Sequence, residues 1–201
     1  MLDRFVLPLL QPVLTPLART LARCGVGANA VTLAALATGL GASAWIAAQG
    51  YLLGALGILL SRLLDGLDGA LARQTQPTDA GGFLDIVGDF LFYASVPLAF
   101  AVADPTHNAL ASATLLAAFL GTGSSFLAFA ALAAKRGLRN PHYPTKSFYF
   151  LGGLTEGFET LACFVAMCLW PQHFAALAYG FSTLCVLTIA TRLWWGWKAL
   201  Q

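Results

Sequence analysis

From Arg23 to Arg62 the chain carries no charged side chain. As one helix that stretch would run to roughly 57 Å, nearly twice the hydrocarbon thickness of a bilayer, so it must fold back on itself. Gln49-Gly50-Tyr51 supplies the turn and leaves apolar spans at 29–49 and 51–72. Four further apolar stretches follow at about 82–103, 108–134, 147–169 and 174–197. They are separated by residues 103–107, by the polar connection from Lys135 to Lys146 and by residues 170–173. Six membrane helices are predicted. Ahead of them, Gln11, Thr15, Arg19 and Arg23 recur at every fourth position against Leu10, Leu14, Leu17 and Leu21, the pattern of an amphipathic helix lying on a membrane surface. Pro8, Pro12 and Pro16 are expected to make its first half irregular. Asp3 beside Arg4, together with these prolines, is unlike a cleaved signal peptide, and the segment is expected to belong to the mature protein. The predicted class is an all-α integral membrane protein. Residues 1–26 form an N-terminal amphipathic juxtamembrane segment and residues 27–201 a six-helix domain.

Composition agrees with that reading. Hydrophobic residues make up 58% of the 201 positions and charged ones only 10%, against about a quarter charged in water-soluble domains. The distribution of charge adds an orientation. All eleven Lys and Arg residues, from Arg4 to Lys198, fall at span ends that a hairpin topology gathers on one side, and the connections near 50, 104 and 171 hold none. By the positive-inside rule both termini are then cytoplasmic. The net charge of +2 is spread along an interface rather than gathered in a basic arm, so no nucleic-acid partner is expected.

Four of the nine acidic residues crowd into one window where the second span ends and the third begins: Asp65, Asp68, Asp85 and Asp89. Ionisable groups at membrane depth are expensive and mark functional sites. On a helix, Asp65, Asp68, Gly69 and Ala72 lie within roughly a 100° arc, with Arg62 and Arg73 beside it, while Asp85 and Asp89 share one face of the next helix. A short connection joins these helices antiparallel, so the two pairs can meet at one depth. Two divalent cations would neutralise the four carboxylates, and hard oxygen donors favour magnesium, calcium or manganese over zinc. Two such ions held close together clamp phosphoryl oxygens during an in-line displacement.

Other features have plainer explanations. Gly39, Gly41, Gly54 and Gly57 read as helix-packing surface. Asp79, after Pro77-Thr78, reads as a cap on the third span. Cys24, Cys163, Cys168 and Cys185 lack metal-ligand spacing and are expected to be buried structural residues.

Asp65-x-x-Asp68-Gly69-x-x-Ala72-Arg73, then seven residues, then Gly81-x-x-x-Asp85-x-x-x-Asp89 resembles the signature of the CDP-alcohol phosphatidyltransferases, integral membrane enzymes of phospholipid synthesis. Six spans, cytoplasmic termini, an N-terminal surface segment and Asn29-x-x-Thr32 opening the first span are also family-like, closest to a short bacterial inner-membrane branch. The interval before the motif glycine is one residue shorter than the commonest spacing, which leaves Gly81 or Gly82 in that position. Ala28-Asn29 stands where Pro-Asn is usual. The resemblance implies that Asp65, Asp68 and Asp85 ligate two Mg2+ or Mn2+ ions and that Asp89 both touches a metal and acts as general base. It implies that Arg73 engages the diphosphate, that Gly69, Ala72 and Gly81 leave room for the nucleotide, and that Asn29 and Thr32 lie on the nucleotide side. The implied reaction displaces CMP from CDP-diacylglycerol with a small alcohol, by an enzyme that works as a homodimer among membrane lipids.

The acceptor is expected to meet Lys135, Arg136, Arg139 and Lys146 in the cytoplasmic connection and Arg192 in the last span. Four basic groups in one loop suit glycerol 3-phosphate, although headgroup anchoring explains them equally well. Glu156 and Glu159 share a face of the fifth span, with Glu156 roughly 14 Å inside its cytoplasmic end, where they pair with Arg192 or line the acceptor cavity. Within the same family, transfer from a soluble CDP-alcohol to diacylglycerol is the alternative. An intramembrane-carboxylate cation or proton transporter is the alternative of a different class, but residues 105–201 do not repeat the aspartate pattern.

Overall fold

In the computed structural model, which describes residues 3–137 and 153–201, every regular element is helical. Seven helices appear among the described residues: α1 (Asp3–Arg23), α2 (Ala28–Ala47), α3 (Tyr51–Gln74), α4 (Asp79–Ala103), α5 (Pro105–Lys135), α6 (Gly157–Leu169) and α7 (Phe174–Leu200), the last preceded by a 3-10 turn at Pro171–His173. Four of them are long and apolar enough to cross a membrane, namely α2, α4, α5 and α7 counted with its 3-10 turn. Their outer faces carry exposed leucines such as Leu98, Leu110 and Leu120, an arrangement suited to hydrocarbon rather than water.

The turn between α2 and α3 falls where the sequence put it. Gln49 adopts a φ of 64°, a left-handed conformation that a non-glycine residue takes only when something holds it. Its Nε2 donates to Ala103 O at 3.0 Å, which ties this turn to the end of α4. At the next connection, Asp104 caps α5 by accepting from His107 N–H at 3.2 Å.

Two expectations need correction. α1 is helical from Asp3 through all three prolines. Because they are four residues apart, the carbonyls deprived of a donor, those of residues 4, 8 and 12, lie along one strip of the helix. The cap of α4 is Thr78, whose hydroxyl accepts from Gly81 N–H at 3.1 Å; Asp79 occupies the first turn instead.

α1 packs on α3, burying Leu14 and Ala18 against Leu67, Ala70 and Leu71, while Val13 and Leu17 face outward. α2 packs on both α3 and α4, so the acidic ends of these two helices meet beside it. Small residues permit the approach. A Cβ at Gly39 would stand 2.6 Å from the Phe92 ring and one at Gly57 2.8 Å from Ala42 Cβ, as expected of packing glycines, whereas Gly41 faces open space. Deeper in the bundle Phe92, Phe100, Phe164 and Phe174 are fully buried, and Phe100 stacks on Phe174 at 4.4 Å. Cys168 and Cys185 join this core, Cys163 is half-buried, and Cys24 is exposed, contrary to expectation.

The fifth apolar stretch departs from its predicted bounds. α6 begins at Gly157, so Glu156 is its N-cap instead of an interior residue. Glu156 and Glu159 form a capping box in which Glu159 Oε2 accepts from Glu156 N–H at 3.2 Å. Gly153 to Thr155 run irregularly against α7. A capping-box spacing of Glu156-x-x-Glu159 behind a glycine pair was the signal available in the sequence.

Candidate active site

The second half of α3 and the first half of α4 carry the acidic residues. Oxygens of Asp65, Asp68 and Asp85 lie within 4.8 Å of one another. Asp68 is buried, at 5% exposure, and its Oδ2 has no hydrogen-bond partner. An orphaned carboxylate oxygen aimed into a cluster of two more carboxylates is unfavourable unless a cation completes it, so the donor set fits a hard divalent ion. Thr32 supports Asp68 from α2: its hydroxyl lies within reach of the Asp68 carboxylate and of Ala28 O at 3.1 Å.

Asp89 is one turn deeper on α4 and is paired differently. Arg62 Nη1 is 2.6 Å from Asp89 Oδ1 and 3.5 Å from Asp65 Oδ1. In the sequence Arg62 stands beside the acidic arc. Its spacing of three residues from Asp65 was the available signal for an ion pair.

Across the start of α4, a Cβ at Gly81 would stand 2.9 Å from Asn29 Oδ1 and 3.1 Å from Thr78 Oγ1, whereas one at Gly82 would meet nothing within 4 Å. The steric demand for glycine therefore falls on Gly81, and Asn29 is its neighbour across the start of α2. Gly69 faces Arg73, whose Nη1 would lie 3.5 Å from an added Cβ, and Arg73 itself is exposed. Ala72 is half-buried in the same turn of α3.

A cavity of about 240 Å³ opens beside Asp89 between α4, α5, α6 and α7. Polar groups on its wall include Thr122, Thr155, Glu156, Thr160 and Arg192. Arg192 is 8% exposed, donates from Nη1 to Thr122 O at 3.0 Å and keeps a buried Nε without a hydrogen-bond partner. Among the expected acceptor residues, Arg192 and Glu156 reach this cavity. Glu159 serves the capping box, and Lys135 and Arg136 are exposed at the end of α5. Arg139 and Lys146 lie outside the described residues. Nothing in the sequence spacing of Thr122, Thr155 and Thr160 signals that they converge.

Comparison with known proteins shows the family. The profile of the CDP-alcohol phosphatidyltransferase family matches residues 26–194, and the chain belongs to that family and to its enzyme class. Over all 201 residues it is 54% identical to the inner membrane protein YnjF of Escherichia coli, covering 98% of that protein. In fold it is similar to the phosphatidylinositol phosphate synthase of Mycobacterium tuberculosis with CDP-DAG bound, at a TM-score of 0.75 and 22% identity, covering 92% of this chain and 94% of the other. A second structure of that synthase, in complex with manganese and citrate, aligns at a TM-score of 0.72 and 23% identity over 92% of this chain and 88% of the other.

Proposed function

We propose that this membrane transferase moves a phosphatidyl group from CDP-diacylglycerol to glycerol 3-phosphate at the cytoplasmic face of a bacterial inner membrane. The observation that carries the reading is the position of Asp89, between the three-carboxylate cluster and the polar cavity. An alcohol in the cavity has its hydroxyl beside this carboxylate. Asp89 takes the hydroxyl proton as the oxygen attacks the phosphorus that carries diacylglycerol. A new P–O bond forms, the diphosphate P–O bond breaks, and CMP leaves with that electron pair. Arg73 and the backbone near Gly69 and Gly81 receive the diphosphate and the nucleotide. Asp65, Asp68, Asp85 and Asp89 would hold two divalent cations, Mg2+ or Mn2+, which when bound supply charge stabilisation to the phosphoryl oxygens.

In this reading α3 and α6 complete six spans, both termini face the cytoplasm and α1 lies along that surface, in keeping with the basic residues at the same end. The E. coli relative is an inner membrane protein, which supports the inner-membrane location. The enzyme acts as a homodimer, as the family resemblance implies. Arg192 is the cation that suits an acceptor phosphate. Glu156 on the same wall favours one alternative, an uncharged polyol or an amino alcohol, because a second carboxylate repels a phosphate.

The test is release of CMP from CDP-diacylglycerol by the purified protein with magnesium, offered a panel of alcohols whose products are resolved by mass. Rapid CMP release that falls about a hundredfold or more in Asp89→Asn supports the reading. Equal release by both proteins sinks it, and a product formed only with an unphosphorylated alcohol moves the acceptor to the alternative.

A further inference from the structure

Arg192 is a charged residue on a membrane helix and yet only 8% exposed, so its seat has to be built by the elements packed against it. From α5, Thr122 O accepts from Nη1 at 3.0 Å, and the Phe126 ring centroid lies 5.7 Å from the guanidinium carbon. The segment ahead of α6 supplies another wall. A Cβ at Gly153 would stand 3.2 Å from Nη2 and 3.4 Å from Nε, and it would overlap Thr188 Cγ2 on α7. Among the described residues positive φ occurs at Gly25, Gln49 and Gly137 and not at Gly153, so close approach rather than backbone conformation asks for glycine here. Nε, beside this backbone, is buried without a hydrogen-bond partner. A buried guanidinium with an unsatisfied nitrogen is costly on its own and gains when an anion enters beside it. Gly153 also governs the other charge of the cavity. Its N–H donates to Glu156 Oε1 at 3.2 Å, and the Glu156 side chain accepts from the N–H of Glu159 in the capping box. Glu156 is thereby drawn to the head of α6, where the peptide dipoles of the first turn favour negative charge.

We propose that Gly153 is a positioning residue for the acceptor: its bare Cα lets the Arg192 guanidinium lie fixed at the cavity wall, and its N–H keeps Glu156 at the head of α6, so that an acceptor phosphate meets the cation. The inference deepens the proposed transfer and rests on it for the identity of the acceptor. An arginine has many rotamers, and one fixed before its ligand arrives loses less freedom on binding. Arginine pairs with phosphate through parallel N–H groups, a geometry lost when the guanidinium plane is turned. Alanine at 153 would crowd Nη2 and Nε and turn that plane. The overlap with Thr188 is a separate matter, because Thr188→Ser removes Cγ2 alone and leaves the hydroxyl that accepts from Leu154 and Thr155 N–H. The seat of the guanidinium and the fit of the backbone can therefore be separated.

The experiment compares the full-length wild type in detergent with Gly153→Ala, Thr188→Ser and the double variant that combines them, by steady-state CMP release and by thermal unfolding. Gly153→Ala lowers Tm and raises KM for glycerol 3-phosphate by about tenfold. In the double variant Tm returns to that of Thr188→Ser, because the methyl overlap is gone, while KM for glycerol 3-phosphate stays raised by about tenfold. Its kcat and its KM for CDP-diacylglycerol stay within about twofold of wild type. If Gly153→Ala does not fold, the double variant carries the same expectation. An acceptor KM that recovers together with Tm overturns the proposal, since Gly153 would then serve the fold alone, and so does an equal rise in both KM values. A second readout uses no CDP-diacylglycerol: glycerol 3-phosphate raises the Tm of the wild type, and about ten times as much is needed for the same rise in the double variant. No rise in the wild type, or equal sensitivity of the two proteins, also overturns it. A wild type that responds to glycerol 3-phosphate in this way but releases no CMP overturns the proposed reaction and leaves the Gly153 result readable.

Discussion

The hydroxyl of Thr188 on α7 lies 3.0 Å from that of Thr155 and accepts the backbone N–H groups of Leu154 and Thr155 at 3.2 and 3.1 Å. Thr188 is fully buried, so one side chain satisfies the irregular segment that delivers Glu156 to the cavity wall. Replacing Thr188 with Val keeps the shape and strands both donors, at a cost of about 1–3 kcal/mol each. Thermal unfolding in detergent checks this, with a lowered Tm expected. An unchanged Tm would mean that the segment does not depend on Thr188.

The carboxylate cluster makes a prediction about metal removal. Chelation with EDTA abolishes CMP release, and Mg2+ or Mn2+ restores it. Asp68→Asn removes charge from the most buried of the three clustered carboxylates and lowers activity by about a hundredfold or more, since each tenfold is about 1.4 kcal/mol of transition-state charge stabilisation. Mn2+ binding by calorimetry weakens in the same variant.

Adjacent glycines separate steric demand from position in the sequence. Gly81→Ala pushes a methyl group into the Asn29 amide, while Gly82→Ala meets open space. Because the Asn29 side chain can turn aside, the Gly81 variant folds with little change in Tm. Its KM for the CDP donor rises by about tenfold, corresponding to 1.4 kcal/mol of lost binding. The Gly82 variant stays within about twofold of wild type, a difference well under 1 kcal/mol.

Arg192 divides donor from acceptor. Arg192→Met leaves KM for CDP-diacylglycerol unchanged and raises KM for a phosphorylated acceptor by about tenfold to a hundredfold, the 1.5–3 kcal/mol of a charge-assisted hydrogen bond. Steady-state kinetics with each substrate varied in turn reads the split.

At the opposite end of the bundle, the hydrogen bond from His107 holds the Asp104 carboxyl below its usual value. The ionised form is therefore favoured by folding, and its contribution is present above the unfolded Asp value near 4 and lost as pH falls through the lower folded value. Asp104→Asn lowers Tm at pH 7, and the difference from wild type closes below about pH 4 in a thermal-melt series.

Much of this protein is readable without coordinates because apolar runs and charges report their solvent directly. α2, α3, α4, α5 and α7 begin and end within three residues of the spans expected from hydropathy, and the four aspartates stand out because charge is rare. The grouping of the Asp65, Asp68 and Asp85 carboxylates follows from helical spacing plus one short connection. Where α6 begins was not so legible. Hydropathy does not distinguish an apolar helix from an apolar segment ahead of one, and Glu156 became a cap only because Thr188 and the turn at Gly153 hold the preceding backbone.

The sequence by itself determined the solvent, the helical class, the acidic window and the family, since each follows from local composition or from residues a few positions apart. Tertiary structure decided which charges neutralise each other. Arg62 is 27 positions from Asp89 and Arg192 is 70 from Thr122, and only the packing of α3 and α4 on α2 and of α7 beside α5 brings them together. Spacing along one helix fixes a face, but a contact between helices depends on their rotation and depth in the bundle, which are set by all the side chains between them.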